Sequence, residues 1–303
     1  VLSAIKNSNY IPNNSARDLV RTKSDAVGLV VRGVSNPFYT DIIRAIERTI
    51  TDAGFTMVMQ QIGTCDDEVK CGAVMEREKR LQGIVFLGGR FDYTPADLAM
   101  LNVPFVCCSY SNRYGTLIEG EYSSVSIADG DTAQQAVEEL YRHGHRRIAA
   151  LISRPNDQSI SQLRYEGYVQ ALESHGIPVD PELVISTGGF GAKDAYRAVQ
   201  EKMAENVDFT ALFAIADSMA IGAMRALMDA GRRIPEDCSV IAIDGLELSA
   251  YIEPPLTTLC QPMEEMGRRS AEILLDMVRH KGSHACELLP TTLRQGRSVA
   301  APR

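Results

Sequence analysis

The sequence predicts an α/β protein of two doubly wound lobes, each a mostly parallel sheet covered by helices on both faces. Short apolar runs alternate with helical segments from residue 26 onward. The runs are nearly continuous in apolar residues, which is typical of strands buried on both faces of a parallel sheet. The alternation restarts near residue 129, and 303 residues exceed what one ordinary core holds. The sequence therefore predicts two lobes of similar size.

The first lobe begins with an apolar β-rich run at Ala26–Val34. Pro37–Ala53 then has helical spacing through Ile42, Ile46 and Ile50. The remaining segments of this lobe are predicted as strands at Phe55–Met59, Gly83–Leu87 and Pro104–Cys108, and as helices at Asp66–Leu81 and Pro95–Leu101.

The second lobe repeats the pattern. Its predicted strands are Ile148–Ile152, Leu183–Ser186, Ala211–Ile215 and Ser239–Ile243. Its predicted helices are Asp129–His143, Ser159–Ser174, Ala192–Met203 and Met219–Ala230, the last closed by Gly231 with Pro235 soon after.

The C-terminal segment is too short for a third domain, so we expect it to cross between the lobes. The residues after Pro254-Pro255 have the spacing of an amphipathic helix through Met263 and Met277. Short strands are predicted after it at Cys286–Leu289 and Thr292–Arg294. Ligands of doubly wound sheets bind beyond the carboxyl ends of the strands, so a cleft between the lobes is the expected site.

Composition indicates a soluble protein of the reducing cytoplasm. Residues are 45% hydrophobic and 23% charged, with no run long enough to span a membrane and no secretory signal at the start. Seven cysteines without regular spacing do not indicate a disulfide framework. The net charge of −8 is uneven, because residues 1–24 carry +3 and the rest −11. A basic head, residues 1–24, is consistent with a phosphate backbone as partner, although on charge alone an ordinary solvated terminus is the simpler explanation.

Catalytic motifs are missing from the sequence. It has no P-loop, GxSxG or HExxH pattern. Gly189-Phe190-Gly191 is half of a dinucleotide fingerprint, but Asp194 stands where the third glycine would be and would repel a pyrophosphate. His143 and His145 have no third ligand and are followed by two arginines. We therefore predict no cofactor, no metal and no enzymatic activity.

Binding chemistry is better represented, because polar and aromatic residues follow the predicted strands. An arginine with carboxylates and aromatic faces suits a polyol or nucleoside pocket. Simpler explanations remain for single members, such as a helix cap for Asp217 and core packing for Phe190. The candidate residues are Asn36, Phe38, Arg90, Ser109, Arg164, Phe190, Asp217 and Asp244.

Motifs spread over almost the whole chain resemble the lactose/galactose repressor (LacI/GalR) family of bacterial transcription regulators. Within the basic head, the segment Tyr10–Leu19 is similar to that family's hinge helix. Further matching segments follow in the family's order and spacing. They are Gly33–Tyr39, Gly144–Ile148, Arg164–Tyr168, Ala216–Ala223, Ile234–Asp237 and Pro254–Thr258.

The resemblance implies a type I periplasmic-binding-protein-like fold with three crossovers, near Ala128, Leu259 and Pro290. It assigns residues 1–24 to the hinge and a remnant of the DNA-binding domain. The N-terminal lobe would comprise residues 25–128 and 260–290, and the C-terminal lobe residues 129–259 and 291–303. It also implies a homodimer, with a tetramer as the alternative assembly. The homodimer would read operator DNA through a helix-turn-helix of which Val1–Asn9 would be the last helix.

The hinge would contact DNA through Asn13, Ala16, Arg17 and Leu19. Arg17 and Lys23 would meet phosphates, and Leu19 matches the family's leucine that enters the minor groove. A hinge helix this short is marginal alone, so we expect it to form only against DNA and a second hinge.

Mapped onto this chain, the family's effector pocket comprises the candidate residues above except Arg90. The sequence departs from the family's pattern at three positions: Ser109 replaces a common aspartate, Ala216 an asparagine and Gly245 a second polar residue. These departures leave the identity of a sugar-like or nucleoside-like effector open.

The sequence thus predicts an effector-controlled transcriptional regulator. A transport-type solute-binding protein of the same fold is the alternative, and a doubly wound enzyme would rest on fold analogy alone.

Overall fold

The computed structural model describes residues 24–33, 36–63 and 66–303 and contains two six-stranded sheets. The first has the order β11-β5-β4-β3-β1-β2. Numbered in chain order, its strands are β1 (Ala26–Arg32), β2 (Thr56–Ile62), β3 (Ile84–Leu87), β4 (Phe105–Cys108), β5 (Ser124–Ser126) and β11 (Cys286–Leu288). Its helices are α1 (Tyr39–Asp52), α2 (Glu68–Lys79), α3 (Pro95–Leu98) and α8 (Met263–His280).

The second sheet has the order β12-β10-β9-β8-β6-β7. Its strands are β6 (Ile148–Ile152), β7 (Val184–Ser186), β8 (Ala211–Ala214), β9 (Ser239–Asp244), β10 (Thr257–Cys260) and β12 (Thr292–Arg294). Its helices are α4 (Asp129–Arg142), α5 (Ile160–Ser174), α6 (Ala192–Ala204) and α7 (Asp217–Asp229). Strand pairs are parallel except the β10–β12 pair.

Alternation along β1 explains why the first sheet is covered on both faces. Val27, Leu29 and Val31 belong to a cluster with residues of α1 and α8, whereas Ala26 and Val30 belong to a second cluster with residues of α2. Because both faces are buried, the strand has no polar side chain until Arg32 at its end. The predicted doubly wound architecture is confirmed.

Glycines allow two of the helix pairs to approach closely. A Cβ on Gly167 would lie 2.1 Å from the Gly130 carbonyl oxygen, where α5 packs on α4. A Cβ on Gly267 would lie 2.4 Å from the Ile42 carbonyl oxygen, where α8 packs on α1. Larger residues would force these helices apart.

The chain passes between the sheets three times. It leaves the first sheet between β5 and α4, returns between β10 and α8, and leaves again between β11 and β12. α8 therefore packs on the first sheet although the preceding strand belongs to the second.

Two strands were not predicted from the sequence. β5 is only three residues long and has two serines, both buried, and it forms because β4 and β11 pair on either side of it. β10 follows two prolines and carries polar threonines that are also buried. Sequence pattern cannot reveal strands whose polar side chains are satisfied only by the folded surroundings. Within the described ranges, no helix is long and apolar enough to cross a membrane.

Candidate functional site

Arg164 is the centre of a buried ionic network at the carboxyl ends of the second sheet. Ser159 caps α5, and Arg164 follows one turn into the helix with 2% of its surface exposed. Its Nε donates to Asp129 Oδ1 over 2.9 Å, and its Nη1 donates to the Ile215 carbonyl oxygen and lies 3.4 Å from Asp244 Oδ1. Burial alone would lower the pKa of Arg164, but the two carboxylates outweigh it and raise that pKa. The guanidinium is thus held charged.

Asp244 lies at the end of β9 with a φ of 137°, a conformation that few non-glycine residues adopt. Its Oδ1 accepts from Gln261 Nε2 over 2.9 Å, and its Oδ2 from the Asp217 backbone N–H over 3.3 Å. Burial raises the pKa of Asp244 to about 7, opposed by Arg164 and assisted by Asp217. Asp244 therefore titrates close to neutral pH.

Asp217 is an interior anchor in this structure. Its carboxylate accepts from Thr258 Oγ1 at 2.5 Å and Ser249 Oγ at 2.7 Å, and from the backbone N–H groups of Gly245 and Leu246 at 3.1 and 2.8 Å. These bonds fix the loop after β9. The carboxylate is thus turned inward onto these donors. The prediction that Asp217 caps its helix is wrong, because the N-cap of α7 is Ala216 and no side chain makes a capping bond there.

Four candidate residues belong to the first lobe: Asn36, Phe38 and Ser109, and Arg90, which is described below. Asn36 Oδ1 accepts from the Phe38 backbone N–H over 3.1 Å, which closes the turn before α1. Phe38 is buried in the same apolar cluster as Leu246 of the second lobe. Ser109 is buried directly after β4, with a φ of 56°. The first lobe thus places a buried aromatic ring, a hydroxyl and an amide at its strand ends.

Phe190 lies in the loop between β7 and α6 and is half-buried against the core of the second lobe. Its carbonyl oxygen accepts from Ser218 Oγ over 2.8 Å. The ring therefore has an exposed part at the same strand ends as Arg164.

Arg90 is not brought to the Arg164 network. Its Nε lies 3.5 Å from Asp92 Oδ1 and its Nη2 3.6 Å from Asp97 Oδ1, and its guanidinium lies 5.5 Å from the centre of the Tyr93 ring. These contacts hold its own loop and the start of α3. The hinge candidates Asn13, Ala16, Arg17 and Leu19 lie outside the described residues.

Three residues that the sequence did not single out belong to the site. Asp129 and Gln261 lie where the chain crosses between the lobes, and both bind partners of the network. Burial raises the pKa of Tyr39 to about 12. The charge of Asp244 also raises this pKa and the charge of Arg164 lowers it, so the Tyr39 hydroxyl lies near both residues. Polar residues at the crossovers are the signal that would have found the first two.

Apolar contacts close the lobes against each other around these groups. Leu246 packs into the first lobe's core, and Ile160 and Leu163 of α5 pack against the first lobe's second cluster. On the same side, the Tyr114 hydroxyl lies 3.2 Å from Glu166 Oε1. The ionic network is therefore screened from water.

The arrangement offers paired donors and acceptors beside aromatic faces, which can bind neighbouring hydroxyl groups. In the described part of the chain, His, Cys, Asp and Glu side chains do not form a group of three that could hold a metal ion.

A family profile described as a periplasmic-binding-protein-like domain matches residues 137–299. The HTH-type transcriptional regulator MalR of Clostridium butyricum is 37% identical over 97% of this chain and 87% of its own length. The HTH-type transcriptional repressor CytR of Escherichia coli K12 is 32% identical over 95% of this chain and 85% of its own length.

A solved complex of the transcriptional regulator CelR with cellobiose has the same fold. It superposes with a TM-score of 0.80 at 30% sequence identity and covers 98% of this chain and 89% of that one. The sequence relatives and this structure agree on both fold and class of protein.

Proposed function

Because this chain belongs to the LacI family of transcriptional regulators, we propose that its interlobe cleft binds a small hydroxyl-bearing effector and so controls operator binding. The chain is a ligand-responsive regulator, as its relatives are, and transcriptional regulators are not enzymes. A transport-type solute-binding protein is not favoured, because the relatives are HTH-type regulators over nearly the full chain.

The observation that carries the proposal is the Arg164 network, in which one guanidinium meets Asp129 and Asp244 beyond the strand ends. Effector hydroxyls would exchange with these contacts, accepting from Arg164 and donating to Asp244. We assign Asn36, Phe38, Ser109 and Phe190 to the same pocket as polar and stacking partners. Arg90 and Asp217 are left out as direct contacts, because their charged groups bind elsewhere.

The chemical class of the effector is proposed as carbohydrate or nucleoside-like. The related CelR structure holds cellobiose, a neutral disaccharide, in the same fold. A guanidinium flanked by carboxylates and aromatic rings suits vicinal hydroxyls of either class.

Operator control is proposed to act through lobe closure. Leu246 packs across the cleft two residues after Asp244, so an effector that moves Asp244 changes the contact between the lobes. Hinges at residues 1–24, through Asn13, Ala16, Arg17 and Leu19, would transmit this change to operator DNA in a cytoplasmic homodimer.

A thermal-shift panel of sugars, polyols and nucleosides tests the effector assignment. A ligand at one hundred times its Kd stabilises the folded state by about 2.7 kcal/mol. We expect Arg164→Lys and Asp244→Asn to abolish the shift. Arg225→Ala, which removes an exposed arginine on α7, is the matched control and should retain it. Full retention in the Arg164 and Asp244 variants contradicts the assignment.

A further inference from the structure

Helix N-termini at the cleft carry acidic residues of the chain itself. In a doubly wound lobe each helix begins after the carboxyl end of a strand, so its N-terminus points towards the ligand cleft. A free helix N-terminus is an anion-binding site. Here the first turns are occupied by Asp41 in α1, Glu68 in α2, Asp129 in α4, Asp194 in α6 and Asp217 in α7.

The α5 helix has no acid in its first turn, but a carboxylate precedes it. Asp157 Oδ1 accepts from the Ser159 backbone N–H at 3.2 Å and from Ser159 Oγ at 2.5 Å. Ser159 Oγ in turn accepts from the Ser161 N–H at 3.1 Å. Some backbone N–H groups at the start of α5 are thus already hydrogen-bonded, and the negative charge of Asp157 lies beside them.

Two arginines near the strand ends, Arg164 and Arg32, are matched by carboxylates. Arg164 meets Asp129 and Asp244 with every partner almost fully buried. In the first lobe, Arg32 Nη1 lies 3.4 Å from the buried Glu68 Oε2. If Asp244 is protonated, the positive charge of Arg164 and the negative charge of Asp129 still cancel. Either way, the buried network has no surplus positive charge.

We infer that the effector is uncharged and that a phosphorylated form of the same molecule is rejected. A phosphate would add between one and two negative charges beside buried carboxylates, where water screens repulsion poorly. A neutral polyol needs only donors and acceptors, which Arg164 and Asp244 supply. This inference rests on the proposed function, because it concerns the same cleft.

Matched pairs of compounds test the inference by calorimetric titration of the chain at constant ionic strength. The pairs are glucose with glucose 6-phosphate, ribose with ribose 5-phosphate, and cytidine with cytidine 5′-monophosphate, and cellobiose extends the neutral set. Inorganic phosphate alone is titrated as the anion probe. We expect a neutral compound to bind, its phosphorylated partner to bind at least about tenfold more weakly, and inorganic phosphate not to bind.

A charge variant outside the proposed contacts sharpens the test. Asp194 Oδ2 would lie 3.3 Å from a Cβ on Gly191, so its carboxylate folds back over the loop that carries Phe190. Asp194 Oδ1 lies 3.3 Å from Arg197 Nη2, and Glu205 Oε2 lies 2.8 Å from Lys202 Nζ, so the variant and its control each remove the carboxylate of an ion pair. Asp194→Asn should reduce the discrimination against the phosphorylated partner by about two- to fivefold. Glu205→Gln, at the opposite end of the same helix, removes an equal charge and should leave the discrimination unchanged.

The outcomes separate the two proposals. Equal or tighter binding of a phosphorylated partner, or binding of inorganic phosphate that Arg164→Lys weakens, overturns the inference and leaves the effector site in place. If none of the compounds binds, the carbohydrate or nucleoside class is wrong and this inference falls with it. An equal effect of Asp194→Asn and Glu205→Gln shows that helix N-termini do not set the selectivity.

Discussion

The Tyr114 hydroxyl donates a hydrogen bond to the Glu166 carboxylate across the cleft, over 3.2 Å. Tyr114 belongs to the loop between β4 and β5 of the first lobe, and Glu166 lies two residues beyond Arg164 on α5. Burial and the Glu166 charge raise the pKa of Tyr114 to about 12, so its hydroxyl remains a donor at neutral pH. This bond joins the lobes beside the proposed effector site.

Removing this donor should weaken effector binding. We expect an effector between the lobes to favour their closed arrangement. Loss of this interlobe hydrogen bond to a charged acceptor in Tyr114→Phe should then cost about 1 kcal/mol, which is about fivefold in Kd. Calorimetry with an identified effector measures the change. Tyr196→Phe is the control, since its hydroxyl also binds a carboxylate, Asp229, but on the surface of one lobe. The same loss in both variants would contradict a role in lobe closure.

Shortening the interlobe leucine should destabilise the protein. Leu246 is 7% exposed within the first lobe's apolar cluster, so Leu246→Ala should lower the free energy of unfolding by about 2–3 kcal/mol. Urea unfolding followed by circular dichroism measures it. Leu248→Ala, two residues along and 63% exposed, should change stability by less than about 0.5 kcal/mol. If the two variants are equally stable, Leu246 does not pack across the cleft.

The Asp217 anchor should matter for stability more than for affinity. Asp217→Asn replaces one carboxylate oxygen by a donor that faces other donors, which should cost about 2–4 kcal/mol in the free energy of unfolding. Chemical denaturation checks this, with exposed Asp229→Asn as the control. An unchanged stability together with lost effector binding would restore Asp217 as a direct contact.

Titration of Asp244 should make stability depend on pH near neutrality. Its pKa is about 7 in the folded protein, against about 3.9 in an unfolded chain. Between these values the folded state binds the extra proton, so the contribution of Asp244 to stability is present at low pH and is lost as pH rises to 7.

Asp244→Asn should therefore reduce the fall in stability between pH 5 and about pH 8, measured as the shift in urea midpoint. Asp229→Asn is the control, because a hydrogen bond from Arg225 lowers the pKa of Asp229 and places its titration below this range. An unchanged slope in the Asp244 variant would show that the carboxyl is ionised throughout.

Much of the fold could be predicted from the sequence, because apolar runs and helical spacing directly reflect which residues are buried. Strands such as β6 and helices such as α1 were predicted within a few residues of their observed ends. β5 was missed because its serines are buried by neighbouring strands, not by their own hydrophobicity. Local pattern carries no information about such partners.

The site was predicted less completely. Arg164 and Asp244 were identified and meet in the structure, whereas Asp129 had been read only as the start of a helix. Asp217 and Arg90 follow strands as expected, but their charges are satisfied by loops that only the folded chain brings near. The position of a residue in the chain predicts at which strand end it lies. Whether its side chain is free to contact a ligand depends on the partners that the fold brings near it.

The order in which the two sheets receive their strands has a consequence for synthesis on the ribosome. The first sheet needs β11, and its core needs α8, yet the chain builds nearly all of the second sheet before either emerges. Ile42, Ile46 and Ile50 therefore lack the α8 side of their cluster until more than two hundred further residues have been translated. The nascent chain therefore carries an incomplete apolar face through most of its elongation, which exposes this lobe to aggregation until α8 has been made.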